Sequence, residues 1–315
     1  MVKKAPKVIL LKILRRLHRE MISTVQYAYL LLYAVPILQL KKELAPRFSI
    51  TRGFRSFLLL SDRGFLKLVI LKNATVGLEY ANYKQLLDAR PDLADLLPQY
   101  RRVKTAWIDA LACEKLSKVP FAEALESAVV LYRRFRTDNF CSVLLVLSDC
   151  PQIEDGLHQI EAEFGGETAL ALQGSTEMYL ARGEYTTGFA HGDFHSRNLM
   201  RDASGACRLI DLDCVRLQGI IEFDGLYFAL EQEWSISGQL WTETLAECFR
   251  SQGCNIATSM KAFSIEWSNE LGIAYFLDRI GQEWISYGMR YSHQALGAII
   301  DAAFIAVNQK NFTNG

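Results

Sequence analysis

The segment HGDFHSRNLM, residues 191–200, concentrates side chains that can take part in chemistry. Two histidines, an aspartate and an asparagine fall within it, between two apolar segments. Such a set can bind a metal ion, transfer a proton or form an ordinary polar turn. A β-hairpin is predicted directly after it, because turn residues at 202–205 separate the segments 198–201 and 207–211.

Three side chains with oxygen ligands meet at one end of this predicted hairpin. Asn198 begins the first strand, Asp211 ends the antiparallel second strand, and Asp193 lies in the loop just before. Mg²⁺ prefers such carboxylate and amide oxygens, and one carboxylate is left to accept a proton. This combination suits phosphoryl transfer, which needs a metal to neutralise the phosphates and a base to orient the attacking hydroxyl.

These residues resemble the motifs of aminoglycoside and choline phosphotransferases, which share the protein-kinase-like fold. The string HGD at 191–193 followed by Asn198 resembles the pattern H-G-D-x-x-x-x-N of that family. The string IDLD at 210–213 resembles its I-D-F-x-D pattern, with leucine in place of phenylalanine. The resemblance implies that Asp193 is the catalytic base and that Asn198 and Asp211 bind Mg²⁺.

The resemblance assigns structural roles to two further residues of this region. His191 is expected to brace the catalytic loop. Asp224 matches a later aspartate of the family that opens a helix and holds the loop from beneath. An ordinary acid in the first turn of a helix, favoured by the helix dipole, explains Asp224 equally well.

The resemblance also implies an ATP-binding lobe in the first half of the chain. Lys67 is expected to bind the α- and β-phosphates, with Glu79 on the next helix as its ion-pair partner. Glu79 is the only acidic residue between Asp62 and Asp88. Lys72 is the rival lysine, but it lies past the apolar run and has the opposite strand parity, so it would point to the other face.

The loop that would cover the phosphates departs from the protein-kinase pattern. Residues 51–56, TRGFRS, hold one glycine where protein kinases have G-x-G-x-x-G. The departure argues against a protein kinase more than against a small-molecule kinase of this fold. Backbone amides near Gly53 and the Ser56 hydroxyl are expected to contact phosphate. By analogy, Glu114 marks the segment whose backbone would contact adenine.

The elements that must position these residues change character along the chain. The first half predicts one helix at 76–90 and short strands at 48–54, 56–60, 65–71, 100–106 and 107–116. Within the helix, one shared face is expected for Leu78, Tyr83, Leu86 and Leu87. From about residue 117 onward, helical patterns separated by Pro or Gly dominate.

We therefore predict an α+β, bilobal protein-kinase-like fold. It has a small antiparallel β-rich N-lobe with one helix and a larger, mostly helical C-lobe. The predicted divisions are 1–45 for a basic and apolar N-terminal helical extension, 46–116 for the ATP-binding N-lobe, and 117–315 for the C-lobe. The C-lobe would hold the catalytic and acceptor-binding residues.

The charge of the chain is unevenly distributed. The formal net charge is zero, which argues against a dedicated nucleic-acid binder. Residues 1–20 nevertheless contain seven Lys or Arg and one Glu, and residues 22–40 contain no charge. The uncharged segment can pack on the body of the protein or lie at a membrane surface, and a membrane span is the third choice. Peripheral membrane contact through residues 1–42 is thus one expectation.

The cysteines indicate a reducing compartment. The seven cysteines are odd in number and form no C-x-x-C pair, so no disulfide framework or zinc ribbon is predicted. We expect a cytoplasmic protein, and the basic N-terminal residues would place it at the inner face of the cytoplasmic membrane.

The acceptor is the least determined part of the prediction. Acids and indoles at Glu231, Glu233, Trp234, Trp241 and Glu243 could bind a cationic or sugar ligand. Core aromatics with a solvated acidic face explain the same residues, and we favour that interpretation slightly. The basic N-terminus suggests a sugar hydroxyl of an envelope glycolipid, such as a lipopolysaccharide core sugar, as one acceptor besides other small molecules.

Two alternatives to an ATP- and Mg²⁺-dependent kinase remain open. A kinase-like chain can bind or regulate without transferring phosphate. Alternatively, His191, Asp193 and His195 could bind Zn²⁺ or Fe²⁺ in a metal-dependent hydrolase. The hydrolase explains fewer residues, because it assigns no role to Lys67 or Glu79.

Overall fold

The computed structural model describes residues 28–40, 44–45, 47–52, 57–61, 64–70, 75–105, 108–136, 144–287 and 291–313. The chain divides into two units. Unit 1 comprises Met1–Lys84, Pro98–Ser117 and Asp202–Gly205, and unit 2 comprises Gln85–Leu97, Lys118–Arg201 and Ala206–Gly315.

Unit 1 is built on an antiparallel sheet of five strands. The strands are β1 (Phe48–Arg52), β2 (Phe57–Ser61), β3 (Gly64–Ile70), β4 (Arg101–Lys104) and β5 (Ile108–Cys113). They lie in the order β1-β2-β3-β5-β4, so the predicted meander of the first three strands is confirmed. Strand β3 is central, and its Lys67 pairs with Leu58 on β2 and Leu111 on β5.

One face of this sheet is covered by the helical segment that precedes it. A π-helical turn, Leu30–Ala34, continues into α1 (Val35–Leu40). Leu30 and Leu38 are fully buried in one cluster with Leu66 and Leu68 of β3. Successive strand residues point to opposite faces, so Lys67 lies on the face away from this cluster. Residues 22–40 were open to packing on the body, membrane contact or a membrane span. For the described part, 28–40, the structure shows packing on the body.

None of the helices in the described ranges is long and apolar enough to cross a membrane. Residues 1–27, which carry the basic N-terminal segment, lie outside the described residues.

Helix α2 (Thr75–Ala89) begins in unit 1 and follows β3. Its buried residues are Val76, Glu79, Tyr83 and Leu86, at helical spacing. The prediction that Leu78 shares this face is wrong, because Leu78 is half exposed and Glu79 occupies the buried position beside it. The acid is accommodated there because its carboxylate pairs with Lys67.

Unit 2 is mostly helical, as predicted. Its helices are α3 (Phe121–Arg136), α4 (Pro151–Phe164), α5 (Gly166–Arg182), α6 (Ile221–Ser237), α7 (Trp241–Ser251), α8 (Ala257–Ala262), α9 (Asn269–Tyr287) and α10 (His293–Thr313). With the sheet of unit 1, these elements give the predicted α+β fold class. Apolar residues at helical spacing favour the helical form of these segments. Pro151 begins α4, and Gly183, in the left-handed conformation, ends α5.

Helices α4 and α9 cross at two glycines. A Cβ atom on Gly156 would overlap the carbonyl oxygen of Leu277, and a Cβ atom on Gly281 would overlap that of Gln152. Glycine is required at both positions because the two backbones touch there. The contact fixes the position of α9, which carries residues of the candidate site.

Two short antiparallel pairs flank the motif HGDFHSRNLM. Strand β7 (Thr187–Ala190) enters it and pairs with β10 (Arg216–Ile220). Strand β8 (Leu199–Arg201) leaves it and pairs with β9 (Cys207–Leu209), as the hairpin prediction required. The strands are shorter than predicted, so Asn198 and Asp211 lie just outside them. The remaining short strand is β6 (Ser117–Lys118).

Candidate active site

The loop between β7 and β8 is held in place by His191. This ring is fully buried; its Nε2 donates to the carbonyl oxygen of Ile210 at 2.9 Å and its Nδ1 accepts from the backbone N–H of Asp193 at 3.3 Å. Burial lowers the pKa of His191, which favours the neutral ring that this bonding pattern requires. Both ring nitrogens are therefore engaged in fixing the loop.

Asp224 anchors the same loop from the first turn of α6. Its Oδ2 accepts from the backbone N–H of His191 at 2.6 Å and its Oδ1 from that of Gly192 at 2.9 Å. Burial raises the pKa of Asp224 to about 7, against the opposing effect of these donors and of Arg216. Gly192 has a positive φ of 76°, and a Cβ there would overlap the carbonyl oxygen of Cys214. The turn before Asp193 thus needs both the acid and the glycine.

Phe194 fixes the loop from below. Its fully buried ring lies 5.7 Å from that of Phe135 and 5.5 Å from that of Phe228, measured between centroids. Anchoring Phe194 in the core leaves the neighbouring Asp193 and His195 directed to the other side of the loop, where both line a pocket.

Both oxygens of the Asp193 carboxylate accept hydrogen bonds. Oδ1 lies 3.1 Å from Nη1 of Arg279, and Oδ2 lies 3.3 Å from Nε2 of His195 and 3.4 Å from Nδ2 of Asn198. Burial opposes ionisation, but His195 and the charge of Arg279 outweigh it and hold the pKa of Asp193 well below its usual range. The carboxylate is therefore ionised and fixed in direction.

Arg279 belongs to a ladder of hydrogen bonds that runs from Asp193 to α7. Its Nε donates to Oε1 of Glu283, one turn later on α9, at 2.7 Å. The other oxygen of Glu283 accepts from the hydroxyl of Tyr291, and that hydroxyl accepts from the indole N–H of Trp241 at 3.0 Å. We refer to Asp193, Arg279, Glu283, Tyr291 and Trp241 as the Arg279 ladder.

The ring of Tyr227 on α6 supports the guanidinium of Arg279. The guanidinium carbon lies 4.1 Å from the ring centroid, and Nη2 donates to the Tyr227 hydroxyl at 3.0 Å. Such a buried cation–π contact is favourable because the guanidinium has lost its water. Arg279 is thus held from three sides, by the ring and by two acids.

A pocket of about 440 Å³ lies beside Asp193, entirely within unit 2. Its lining includes Asp193, His195, Tyr227, Trp234, Trp241 and Arg279. The interpretation of Trp234 and Trp241 as core aromatics is therefore wrong. Both indoles are half buried and line this pocket. Glu231 and Glu243 do not line it: Glu231 accepts from the Ser196 hydroxyl, and Glu243 caps the start of α7.

Asn198 and Asp211 lie next to each other at the base of the β8–β9 hairpin. The backbone N–H of Ile210 donates to the carbonyl oxygen of Asn198 at 3.1 Å, and Asp211 follows with a positive φ of 66°. Nδ2 of Asn198 donates to the backbone oxygen of Asp193 at 2.9 Å, so the amide oxygen is the atom suited to a cation. Such hard oxygen donors fit Mg²⁺.

The pair predicted for phosphate binding forms within unit 1. Nζ of Lys67 lies 2.7 Å from Oε2 of Glu79, and both side chains are buried. Each of the two buried groups thus has the oppositely charged partner that a buried charge requires. Glu114 is half buried and directly follows β5, while Gly53 and Ser56 lie outside the described residues.

The geometry does not favour the metal-hydrolase alternative. His191 uses both ring nitrogens to hold backbone, and His195 uses Nδ1 to accept from the N–H of Arg197 at 3.2 Å. Across the residues that the structure describes, no cluster of three or more His, Cys, Asp or Glu side chains could hold a metal ion.

The sequence did not predict the residues of unit 2 that lie far from Asp193 along the chain but contact it or line the pocket. They include Tyr227, Arg279, Glu283 and Tyr291. The available signal was the oppositely charged pair Arg279 and Glu283, four residues apart in α9, since charge in a helix rich in apolar residues is unexpected unless it is paired or functional.

Comparison with solved structures identifies the fold. Choline kinase LicA from Streptococcus pneumoniae is 12% identical, with a TM-score of 0.52, and the match covers 92% of this chain and 99% of that chain. A thermostable mutant of aminoglycoside phosphotransferase APH(4)-Ia is 11% identical, with a TM-score of 0.51 and coverage of 87% and 98%. Aminoglycoside phosphotransferase APH(3'')-Id from Streptomyces rimosus is 15% identical, with a TM-score of 0.50 and coverage of 80% and 98%.

No family model and no curated protein matches the sequence. The structural matches establish that the chain has the protein-kinase-like fold of these phosphotransferases, as the resemblance implied. At this identity they establish the fold alone.

Proposed function

We propose that the protein is a phosphotransferase that moves the γ-phosphate of ATP to a hydroxyl group of a small molecule or sugar. The observation that carries the proposal is the ionised Asp193 carboxylate, fixed by Asn198, His195 and Arg279 beside a pocket. The protein-kinase-like fold supports it, because in this fold such a loop acts in phosphoryl transfer.

In this proposal Asp193 orients the acceptor hydroxyl and accepts its proton. The carboxylate is ionised, so it can accept a hydrogen bond from that hydroxyl, and it lies within the pocket that would hold the acceptor. Asp224 and His191 keep the loop in position, and the indoles of Trp234 and Trp241 exclude water from part of the pocket.

The nucleotide and its metal are assigned to the remaining predicted residues. Asn198 and Asp211 would hold Mg²⁺, which neutralises phosphate charge when bound. Lys67, oriented by Glu79, would bind the α- and β-phosphates. Contacts of Gly53 and Ser56 with phosphate, and of the segment at Glu114 with adenine, are part of the same proposal.

The experiment that tests the activity is ATP turnover by two single variants. We expect Asp193→Ala and Asp211→Ala each to abolish Mg²⁺-dependent ADP formation while retaining the folded circular dichroism spectrum. Glu247→Ala is the matched control, because Glu247 is an exposed acid on α7 that pairs with Arg250. Turnover that persists in both variants refutes the assignment, and nucleotide binding without turnover in the parent protein supports the non-transferring alternative.

For the acceptor we propose a sugar hydroxyl of an envelope glycolipid at the inner face of the cytoplasmic membrane. The support is the excess of Lys and Arg in residues 1–20, since anionic lipid attracts such clusters. We expect deletion of residues 1–20 to weaken binding to vesicles that contain anionic phospholipid. Equal binding by the full and truncated chains contradicts membrane contact without affecting the proposed activity.

A further inference from the structure

The two carboxylates that line the pocket, Asp193 and Glu283, are both already paired with the guanidinium of Arg279. In Asp193, Arg279 donates to one oxygen and His195 to the other. In Glu283, Arg279 donates to one oxygen and Tyr291 to the other. The ammonium group of a cationic acceptor would have to approach these carboxylates beside the guanidinium that they already bind, and two like charges at short distance repel each other.

The ring of Tyr227, which also lines the pocket, already holds a cation. The guanidinium of Arg279 covers the Tyr227 ring at 4.1 Å from its centroid. The indoles of Trp234 and Trp241 remain, half buried in the pocket wall. An indole offers a broad apolar face, on which the C–H face of a sugar ring packs without any charge.

Arg197 is the charged side chain of the pocket that faces solvent. It is exposed, it lines the pocket, and within the part of the chain that the structure describes no ion-pair partner is seen for it. A guanidinium binds carboxylate or phosphate through two parallel hydrogen bonds, which gives it both affinity and direction.

From this arrangement we infer that the acceptor is a sugar-sized hydroxylated compound that carries a carboxylate or a phosphate, and that Arg197 binds this anionic group. The inference rests on the proposed phosphotransferase function, which it deepens by naming the acceptor class. The pocket volume of about 440 Å³ accommodates a sugar ring with one such substituent.

The test is a binding titration, followed by tryptophan fluorescence, with four ligands that share one ring. Glucuronate and glucose 6-phosphate carry the two anions, glucose carries none, and glucosamine carries an ammonium group. We expect at least one anionic sugar to bind the full chain about tenfold more tightly than glucose, equivalent to ~1.4 kcal/mol. If glucuronate binds more tightly than glucose 6-phosphate, the anionic group is a carboxylate; the reverse order identifies a phosphate.

Three variants assign the preference to Arg197. Arg197→Gln should remove the advantage of the anionic sugar, and Arg197→Glu should shift the preference toward glucosamine. Arg250→Gln should leave the preference unchanged, because Arg250 is also an exposed arginine but lies on α7 outside the pocket lining. In turnover assays Arg197→Gln should raise KM for the anionic acceptor and not KM for ATP.

Several results would overturn the inference. These are tighter or equal binding of glucose or glucosamine, absence of binding by both anionic sugars, an unchanged preference in Arg197→Gln, or a raised KM for ATP alone. Turnover of a neutral or cationic acceptor without dependence on Arg197 refutes the inference and leaves the proposed function standing. Selective binding of an anionic sugar without any ATP turnover refutes the proposed function and not the anion site.

Discussion

The buried Glu283 and the largely buried Asp193 are two carboxylates that share the guanidinium of Arg279. Removing charged groups from water costs several kcal/mol for each ion, and only close geometry with complete hydrogen bonding offsets it. Every oxygen of the two acids has a donor, so the Arg279 ladder meets that condition. Its consequence is a proposed base with one fixed orientation, which a single carboxylate on a loop would not have.

Replacement of Arg279 by methionine is therefore expected to be costly. Arg279→Met would leave Asp193 and Glu283 buried without their shared cation, and the free energy of unfolding should fall by about 3–5 kcal/mol. Urea denaturation measures this loss, and Arg279→Lys should recover part of it. Arg250→Met is the control, with an expected change within about 0.5 kcal/mol because that pair is exposed. An unchanged stability of Arg279→Met would contradict a structural role for the ladder.

Helix α9 brings Arg279 and Glu283 to Asp193, and two glycines determine how closely α9 approaches α4. The backbone oxygens of Leu277 and Gln152 occupy the space that a side chain on Gly156 or Gly281 would need. A helix normally avoids glycine, which costs about 0.5–1 kcal/mol relative to alanine. Glycine is nevertheless favoured at both positions, because only a residue without a Cβ atom lets the two helices pack this closely.

Substitution at this crossing tests the role of α9. Gly281→Ala should separate the two helices and lower the free energy of unfolding by about 1–3 kcal/mol, despite the better helix propensity of alanine. Gly174→Ala is the matched control: Gly174 lies within α5, and a Cβ atom added there would meet no other atom within 4 Å. The control should be neutral or stabilising by up to about 1 kcal/mol. Equal effects of the two substitutions, measured by urea denaturation, would contradict the close-contact explanation.

The positions of most elements followed from the sequence, whereas their mutual placement did not. Apolar periodicity and Pro or Gly boundaries located α4 and the β8–β9 hairpin. The same periodicity assigned Leu78 to a buried face that Glu79 occupies instead, because apolar counting cannot anticipate a buried ion pair. Arg279 was missed for a related reason: residues four apart on a helix look like a surface ion pair until tertiary packing shows what they face.

At the scale of the molecule, the segment 28–40 is part of the core of unit 1. Leu30, Ala34 and Leu38 are fully buried with Leu59 and Leu68 of the sheet. The sequence left packing, membrane contact and a span open for this segment, because an uncharged apolar run suits all three. The described residues of the segment cover one face of the sheet, so packing is the correct alternative for them.

Two truncations separate the core contribution of this segment from the basic residues before it. Deletion of residues 1–42 removes Leu30 and Leu38, each worth about 2–3 kcal/mol of burial, and should lower the thermal midpoint strongly or prevent folding. Deletion of residues 1–20 removes none of the described core and should lower the midpoint less than the longer deletion. Thermal scanning of both proteins checks this, and a stable protein lacking residues 1–42 would contradict the packing role.

The central claim is that Asp193 accepts a proton during phosphate transfer from ATP. The most direct measurement is the rate of ADP formation by the full chain with Mg²⁺ and the sugar panel, compared between the parent protein and Asp193→Asn. Asparagine keeps the size of the side chain but cannot accept the proton, so kcat is expected to fall by about 10²- to 10⁴-fold. A rate in Asp193→Asn close to that of the parent protein would contradict the claim.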